Sequence, residues 1–172
     1  MIWLLCGATH TGKTVLAQRL MEKKHINYLS LDHLKMGLIR SGYSSIAPTD
    51  ALSTITDAVW PVAREWIRTC LENGQQLAVE GCYIPPDWER DFTQEQRREM
   101  RCICLAMSDA YIRTHFDEIQ RHANEAERRS EEELSLETLL RENAFFRQHY
   151  RDPYVIEENY TAEMDALWRK IE

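Results

Sequence analysis

The sequence predicts a three-layer α/β/α fold built on a mostly parallel, five-stranded sheet. Three observations carry that expectation. Apolar runs of strand length alternate with segments of helical period along all 172 residues, single helices separate most successive strands, and a glycine-rich loop joins the first strand to the first helix. A strand, one helix and a second strand form a right-handed parallel crossover in nearly every known case. The loops at the strand carboxyl ends then share one edge of the sheet, where ligands bind.

The first strand is read at residues 2–6 (Ile-Trp-Leu-Leu-Cys), and the helix after it carries Val15, Leu16, Leu20 and Met21 at one-face spacing, ending near Lys23 and Lys24. Strand 2 is read at 27–31; Asp32 then opens a short helix that stops at Ser41-Gly42. Thr49 or Asp50 caps a long helical segment that reaches Leu71 and closes at Asn73-Gly74, with Val59, Val62, Ala63, Trp66, Ile67 and Cys70 as its apolar face. Pro61 lacks an N–H, so a kink or a fresh helix start is expected at Trp60-Pro61. Strands 3, 4 and 5 are read at 76–80, 101–106 and 154–157. Helices are read at 108–123, 134–150 and 162–171, the last with Met164, Leu167, Trp168 and Ile171 on one side.

Composition bounds the rest. The chain is 44% hydrophobic, without a polar tract long enough to act as a linker, which suits one domain over 1–172 that needs no disulfide to hold its core. Its five cysteines are odd in number, show no C-x-x-C and mostly lie in apolar runs, so they read as small buried hydrophobes in a cytoplasmic protein. The opening apolar run is short and lacks a basic flank, unlike a signal peptide, and no later stretch has the length to span a bilayer. A net charge of −7 argues against a broad grip on nucleic acid.

The chemistry starts at the loop Gly7, Ala8, Thr9, His10, Thr11, Gly12, Lys13, Thr14, which reads G-x-x-x-x-G-K-T between a strand and a helix, with Val15 next. Glycines let several backbone N–H groups turn toward one anion, and the helix that starts near Lys13 adds its positive dipole end. Lys13 is placed to reach the β- and γ-phosphates of a nucleotide and the Thr14 hydroxyl to ligate Mg²⁺, so ATP and Mg²⁺ are the expected cofactors. His10 occupies a position where the backbone makes the contacts and many side chains are tolerated.

Beyond the loop, Leu29-Ser30-Leu31-Asp32-His33-Leu34-Lys35 and Val79-Glu80-Gly81 extend a likeness. The chain resembles the P-loop small-molecule kinases, the NTPase group that holds nucleoside monophosphate, shikimate, gluconate and zeta-toxin-like kinases. The resemblance implies strand order 2-3-1-4-5, a short helical lid over residues 116–133, and transfer of the ATP γ-phosphoryl group to a small acceptor, either a hydroxyl compound or a nucleoside monophosphate. It implies that Asp32 orients or deprotonates an acceptor hydroxyl, that Glu80 helps hold Mg²⁺ with its water opposite Thr14, and that lid arginines steady the phosphoryl group in flight; Arg121, Arg128 and Arg129 are the candidates. Lys35 and, more weakly, Arg40 fall where an acceptor is bound, although a lysine lacks the bidentate fork of an arginine. Tyr83-Ile84-Pro85-Pro86 stands where the relatives carry an arginine-bearing turn.

Plainer roles compete for each residue. Asp32 also suits a helix N-cap, Glu80 a strand-end carboxylate, Lys35 a solvated helix position, and the arginines a salt-bridged helix face. Two other functions are compatible with the loop: a nucleotide-dependent switch with little turnover, which needs no acceptor residues, and a kinase of polynucleotide 5′-hydroxyls, which needs a basic channel.

Overall fold

Apolar strand runs form the sheet as the alternation requires. In the computed structural model, which describes residues 1–122 and 134–171, the elements run β1 (Ile2–Gly7), α1 (Lys13–Lys24), β2 (Tyr28–Ser30), α2 (Leu31–Arg40), α3 (Leu52–Glu72), β3 (Leu77–Glu80), a 3₁₀ turn (Trp88–Asp91), α4 (Gln94–Arg98), β4 (Met100–Met107), α5 (Asp109–His122), α6 (Leu136–His149), β5 (Tyr154–Ile156) and α7 (Tyr160–Ile171). The strands lie in the order β2-β3-β1-β4-β5, with β2–β3, β3–β1 and β4–β5 paired in parallel. The α/β class and the strand order therefore match the expectation.

Contacts divide the chain into two compact units that interleave in sequence: residues 1–6 with 17–103, and residues 7–16 with 104–172. In the first, β3 lies between β1 and β2. Val79 faces Leu4 on one side and Leu29 on the other, and Glu80 faces Leu5 and Ser30 at the last rung. All four β3 residues are buried, as befits a strand paired on both edges.

The helix α3 buries Ile55, Val59, Trp60, Ala63, Ile67 and Cys70, at the i, i+4 spacing of one face. That corrects the expected face at two places: Val62 and Trp66 are 39% and 50% exposed. The inward tryptophan is Trp60, whose Nε1 donates to Asp91 Oδ2 at 2.7 Å and whose ring meets Phe92 edge-on. Nor does Pro61 break the helix. Helical structure runs on to Glu72, with Pro61 and Asp57 both exposed, so water can reach the Asp57 carbonyl that proline leaves without a donor.

Three further details differ from expectation. The N-cap of α3 is Ala51, and the Asp50 carboxylate accepts from the Ala47 N–H instead. Strand β2 is shorter than read, because Leu31, fully buried, already belongs to α2. In α1 the buried face is Leu16, Ala17 and Leu20, while Val15 and Met21 are 48% and 39% exposed.

The second unit is organised on the carboxyl half of β4, where Leu105 and Met107 pair with Tyr154 and Ile156 of β5. The buried Asn143 on α6 fastens that helix to the strand: its Oδ1 accepts from Met107 N–H at 2.7 Å and its Nδ2 donates to Leu139 O. Arg147, one turn on, donates to the Met107 carbonyl and pairs with Asp109. Helical geometry lapses at His115 inside α5, where the imidazole stacks on Tyr111.

Candidate functional site

In the second unit, β1 ends at Gly7, residues 8–12 form the loop and α1 begins at Lys13. The first bond into the helix runs from Leu16 N–H to Gly12 O, so the amides of the preceding turn belong to the open, positive end of the helix. Ala8 N–H is anchored to Leu105 O at 3.3 Å, and Thr11 Oγ1 donates to Ala8 O at 2.8 Å. Lys13 is 6% exposed and its ammonium also donates to Ala8 O, at 2.6 Å. A buried ammonium held by one carbonyl is a cation stored where an anion would be received.

Gly12 takes φ +90°, and a Cβ there would lie 2.1 Å from the Tyr160 hydroxyl. Tyr160 opens α7 and closes over the loop; burial raises its phenol pKa, and the nearby Tyr111 adds to the rise. His10 also has positive φ, 62°, which costs a non-glycine residue about 1–3 kcal/mol. From α6, Glu142 Oε2 accepts from the Thr9 hydroxyl at 2.5 Å and from the Thr9 N–H at 3.4 Å. Sequence reasoning missed Glu142 as a loop-side residue and Asn143 as the residue that fastens its helix to β4. The acid at 142 looked like any helix glutamate, and only the fastening of α6 to β4 reveals its place.

The first unit holds the other candidates. Asp32 lies in the first turn of α2 and is not its cap: the N-cap is Ser30, which makes no side-chain capping bond. Asp32 Oδ1 accepts from Lys35 Nζ at 3.0 Å and from the Tyr83 hydroxyl at 3.3 Å, and Lys35 donates to that same hydroxyl at 2.9 Å. The Lys35 ammonium also sits 5.2 Å from the Tyr83 ring centroid. Lys35 is thus no solvated helix lysine; its side chain is 11% exposed. Tyr83, 8% exposed, is the third member of the cluster.

Glu80 is 2% exposed, unlike an ordinary strand-end carboxylate, and Gly81 after it takes φ +153° with the Leu31 side chain 2.7 Å from where a Cβ would sit. The acid-Gly step thereby lets α2 start against β3. Arg40, at the far end of α2, is exposed and does not join the Asp32 cluster. Arg121 is exposed in the last turn of α5 and its Nε donates to Asp117 O at 3.3 Å. Arg128 and Arg129 lie outside the described residues, as does most of the expected lid. No group of three His, Cys, Asp or Glu side chains among the described residues could hold a metal by itself. A threonine hydroxyl such as that of Thr14 and a carboxylate such as that of Glu80 are each hard oxygen donors of the kind Mg²⁺ accepts.

No family model and no curated protein sequence matches the chain. Solved structures do match. The chain is similar to a sugar kinase from Janibacter sp. HTCC2649, with TM-score 0.60 and 10% identity over 99% of this chain and 93% of that one. It is similar to the deoxyadenosine kinase from M. mycoides, with TM-score 0.56 and 13% identity over 99% and 98%. A third likeness, to the shikimate kinase from Aquifex aeolicus, has TM-score 0.53 and 14% identity over 99% and 96%. The chain therefore has the fold of the P-loop small-molecule kinases.

Proposed function

We propose that this protein is an ATP- and Mg²⁺-dependent phosphotransferase that moves the γ-phosphoryl group to a small-molecule acceptor. The observation that carries the reading is the loop of residues 7–14, built as strand, turn and helix, with the Lys13 ammonium buried against its own Ala8 carbonyl. Its kinase fold and the names of the similar structures support the same class of reaction.

The residues divide the work by chemistry. Loop amides and Lys13 bind the triphosphate, Lys13 exchanging the Ala8 carbonyl for phosphate oxygens. Thr14 and Glu80 are the protein groups assigned to Mg²⁺, which when bound neutralises charge on the β- and γ-phosphates. Asp32 accepts the proton of the acceptor hydroxyl or orients it for attack, its carboxylate held in place by Lys35 and Tyr83. Arg121, Arg128 and Arg129 remain the candidates to steady charge on the moving group, and Lys35 and Arg40 those for the acceptor.

Calorimetric titration with ATP and Mg²⁺, followed by acceptor-dependent ADP release, tests the reading. The native protein is expected to bind and turn over, and Lys13→Ala to lose at least a hundredfold in turnover. Near-native transfer by Lys13→Ala would overturn the assignment.

A further inference from the structure

We infer that Ser30 is a positioning residue for the divalent cation: its hydroxyl, beside Glu80, holds a water of the Mg²⁺ shell. The inference rests on the phosphotransferase reading above and adds a residue to its metal site.

Ser30 ends β2 and is the N-cap of α2. A serine in that place ordinarily accepts from a backbone N–H two or three residues on. Ser30 does not: its backbone is extended as a cap requires, with φ −83° and ψ 122°, yet its side chain makes no capping bond. Nor does the hydroxyl turn to solvent. Ser30 is 3% exposed, and its Oγ has no hydrogen-bond partner among the described residues. Folding strips such a group of water and returns nothing, so a buried hydroxyl in this condition lowers stability. Alanine would fill the same place without that cost. The hydroxyl therefore points to a ligand that binds the folded protein.

Its position identifies that ligand. Ser30 is the register partner of Glu80 at the last rung between β2 and β3. Residues opposite each other in a sheet send their side chains to the same face, from strands about 4.8 Å apart, and one water can span such a pair. Glu80 is 2% exposed and is the acid that the phosphotransferase reading gives to Mg²⁺. That cation loses its water reluctantly and keeps several of its water molecules when a protein binds it. A metal-bound water has two protons to donate, and a carboxylate oxygen with a neutral hydroxyl accepts both without bringing a second charge. The acceptor hydroxyl is the task of Asp32, whose carboxylate Lys35 and Tyr83 hold, and Ser30 Oγ makes no hydrogen bond to that cluster.

Electron paramagnetic resonance of Mn²⁺, used in place of Mg²⁺ with a non-hydrolysable ATP analogue, tests the inference on Ser30→Ala. The variant is expected to bind Mn²⁺ about tenfold more weakly in the presence of the analogue, the usual cost of losing an outer-shell partner. Its affinity for the analogue without divalent cation is expected to match the native value. In denaturant, the ligand-free variant is expected to unfold at or above the native midpoint, because no hydrogen bond is lost. Should it not be obtained folded, Ser30→Cys, which puts a weak acceptor in place of the hydroxyl, is expected to show the same loss of Mn²⁺ affinity. Native Mn²⁺ affinity in these variants, or a lowered midpoint in Ser30→Ala, would overturn the inference and leave the phosphotransferase reading standing. Native protein that binds neither the analogue nor Mn²⁺ would overturn both.

Discussion

Glu142 and Tyr160 bring two side chains against the loop that no loop motif contains. The Glu142 carboxylate accepts from both donors of Thr9, so an acidic side chain lies against an amide of the loop proposed to bind phosphate. An incoming triphosphate meets that charge. Two like unit charges a few ångströms apart in water repel by about 1 kcal/mol, and Glu142→Gln keeps the shape while removing it. The variant is expected to bind ATP about fivefold tighter by calorimetry, with the gain shrinking at high salt; unchanged or weaker binding would contradict this. Gly12 makes the opposite case. A methyl group there would meet the Tyr160 hydroxyl at 2.1 Å in a backbone region that L-residues avoid. Gly12→Ala is expected to weaken ATP binding by at least tenfold, and Tyr160→Phe in the same chain to recover part of the loss, because the hydroxyl is the nearest obstacle.

At the scale of elements, α3 and α7 each carry a measurable consequence. Pro61 sits inside an unbroken 21-residue helix at an exposed position, where proline costs about 3 kcal/mol relative to alanine in a helix interior. Pro61→Ala is expected to raise stability in chemical denaturation by about 1–3 kcal/mol, and a loss would show that the ring supports the helix in some other way. At the start of α7, Asn159 caps the Ala162 N–H while the Glu163 carboxylate accepts from the N–H groups of Glu157, Glu158 and Asn159. Burial pushes the Glu163 pKa up, but these three backbone donors outweigh it and hold the carboxyl below its ordinary value. A carboxyl with a lowered folded pKa adds stability that is fully present above its unfolded value, about 4.3, and is lost as pH falls through the folded value. Thermal unfolding of Glu163→Gln is therefore expected to show a deficit at pH 7 that narrows below about pH 4. A deficit that does not change with pH would mean that shape, and not charge, holds the turn between β5 and α7.

Across the whole molecule, the sequence is legible where local chemistry decides and opaque where packing does. The alternation of strand and helix and the loop of residues 7–14 are local signals, the order of the sheet is what the resemblance implies, and the structure agrees with all three. Asp32 and Lys35 share a helix turn, so their pairing was within reach of the spacing; Tyr83, 48 residues further on, was not. The same limit explains α3. Its period is plain in the sequence, but whether Trp60 or Trp66 turns inward depends on Asp91 and Phe92, which lie beyond the helix. Arg121, Arg128 and Arg129 are the candidates for which spacing helped least, since charged helix faces look alike whatever they do.

Phosphorus NMR of ATP and Mg²⁺ with a panel of charged and uncharged small hydroxyl compounds tests the central claim most directly. With native protein, the γ-phosphoryl signal is expected to pass into a new phosphate-ester resonance only when acceptor is present, and Lys13→Ala is expected to leave ATP intact. If ATP stays whole with every acceptor, or decays to inorganic phosphate at the same rate with and without one, the protein is no phosphotransferase of small molecules.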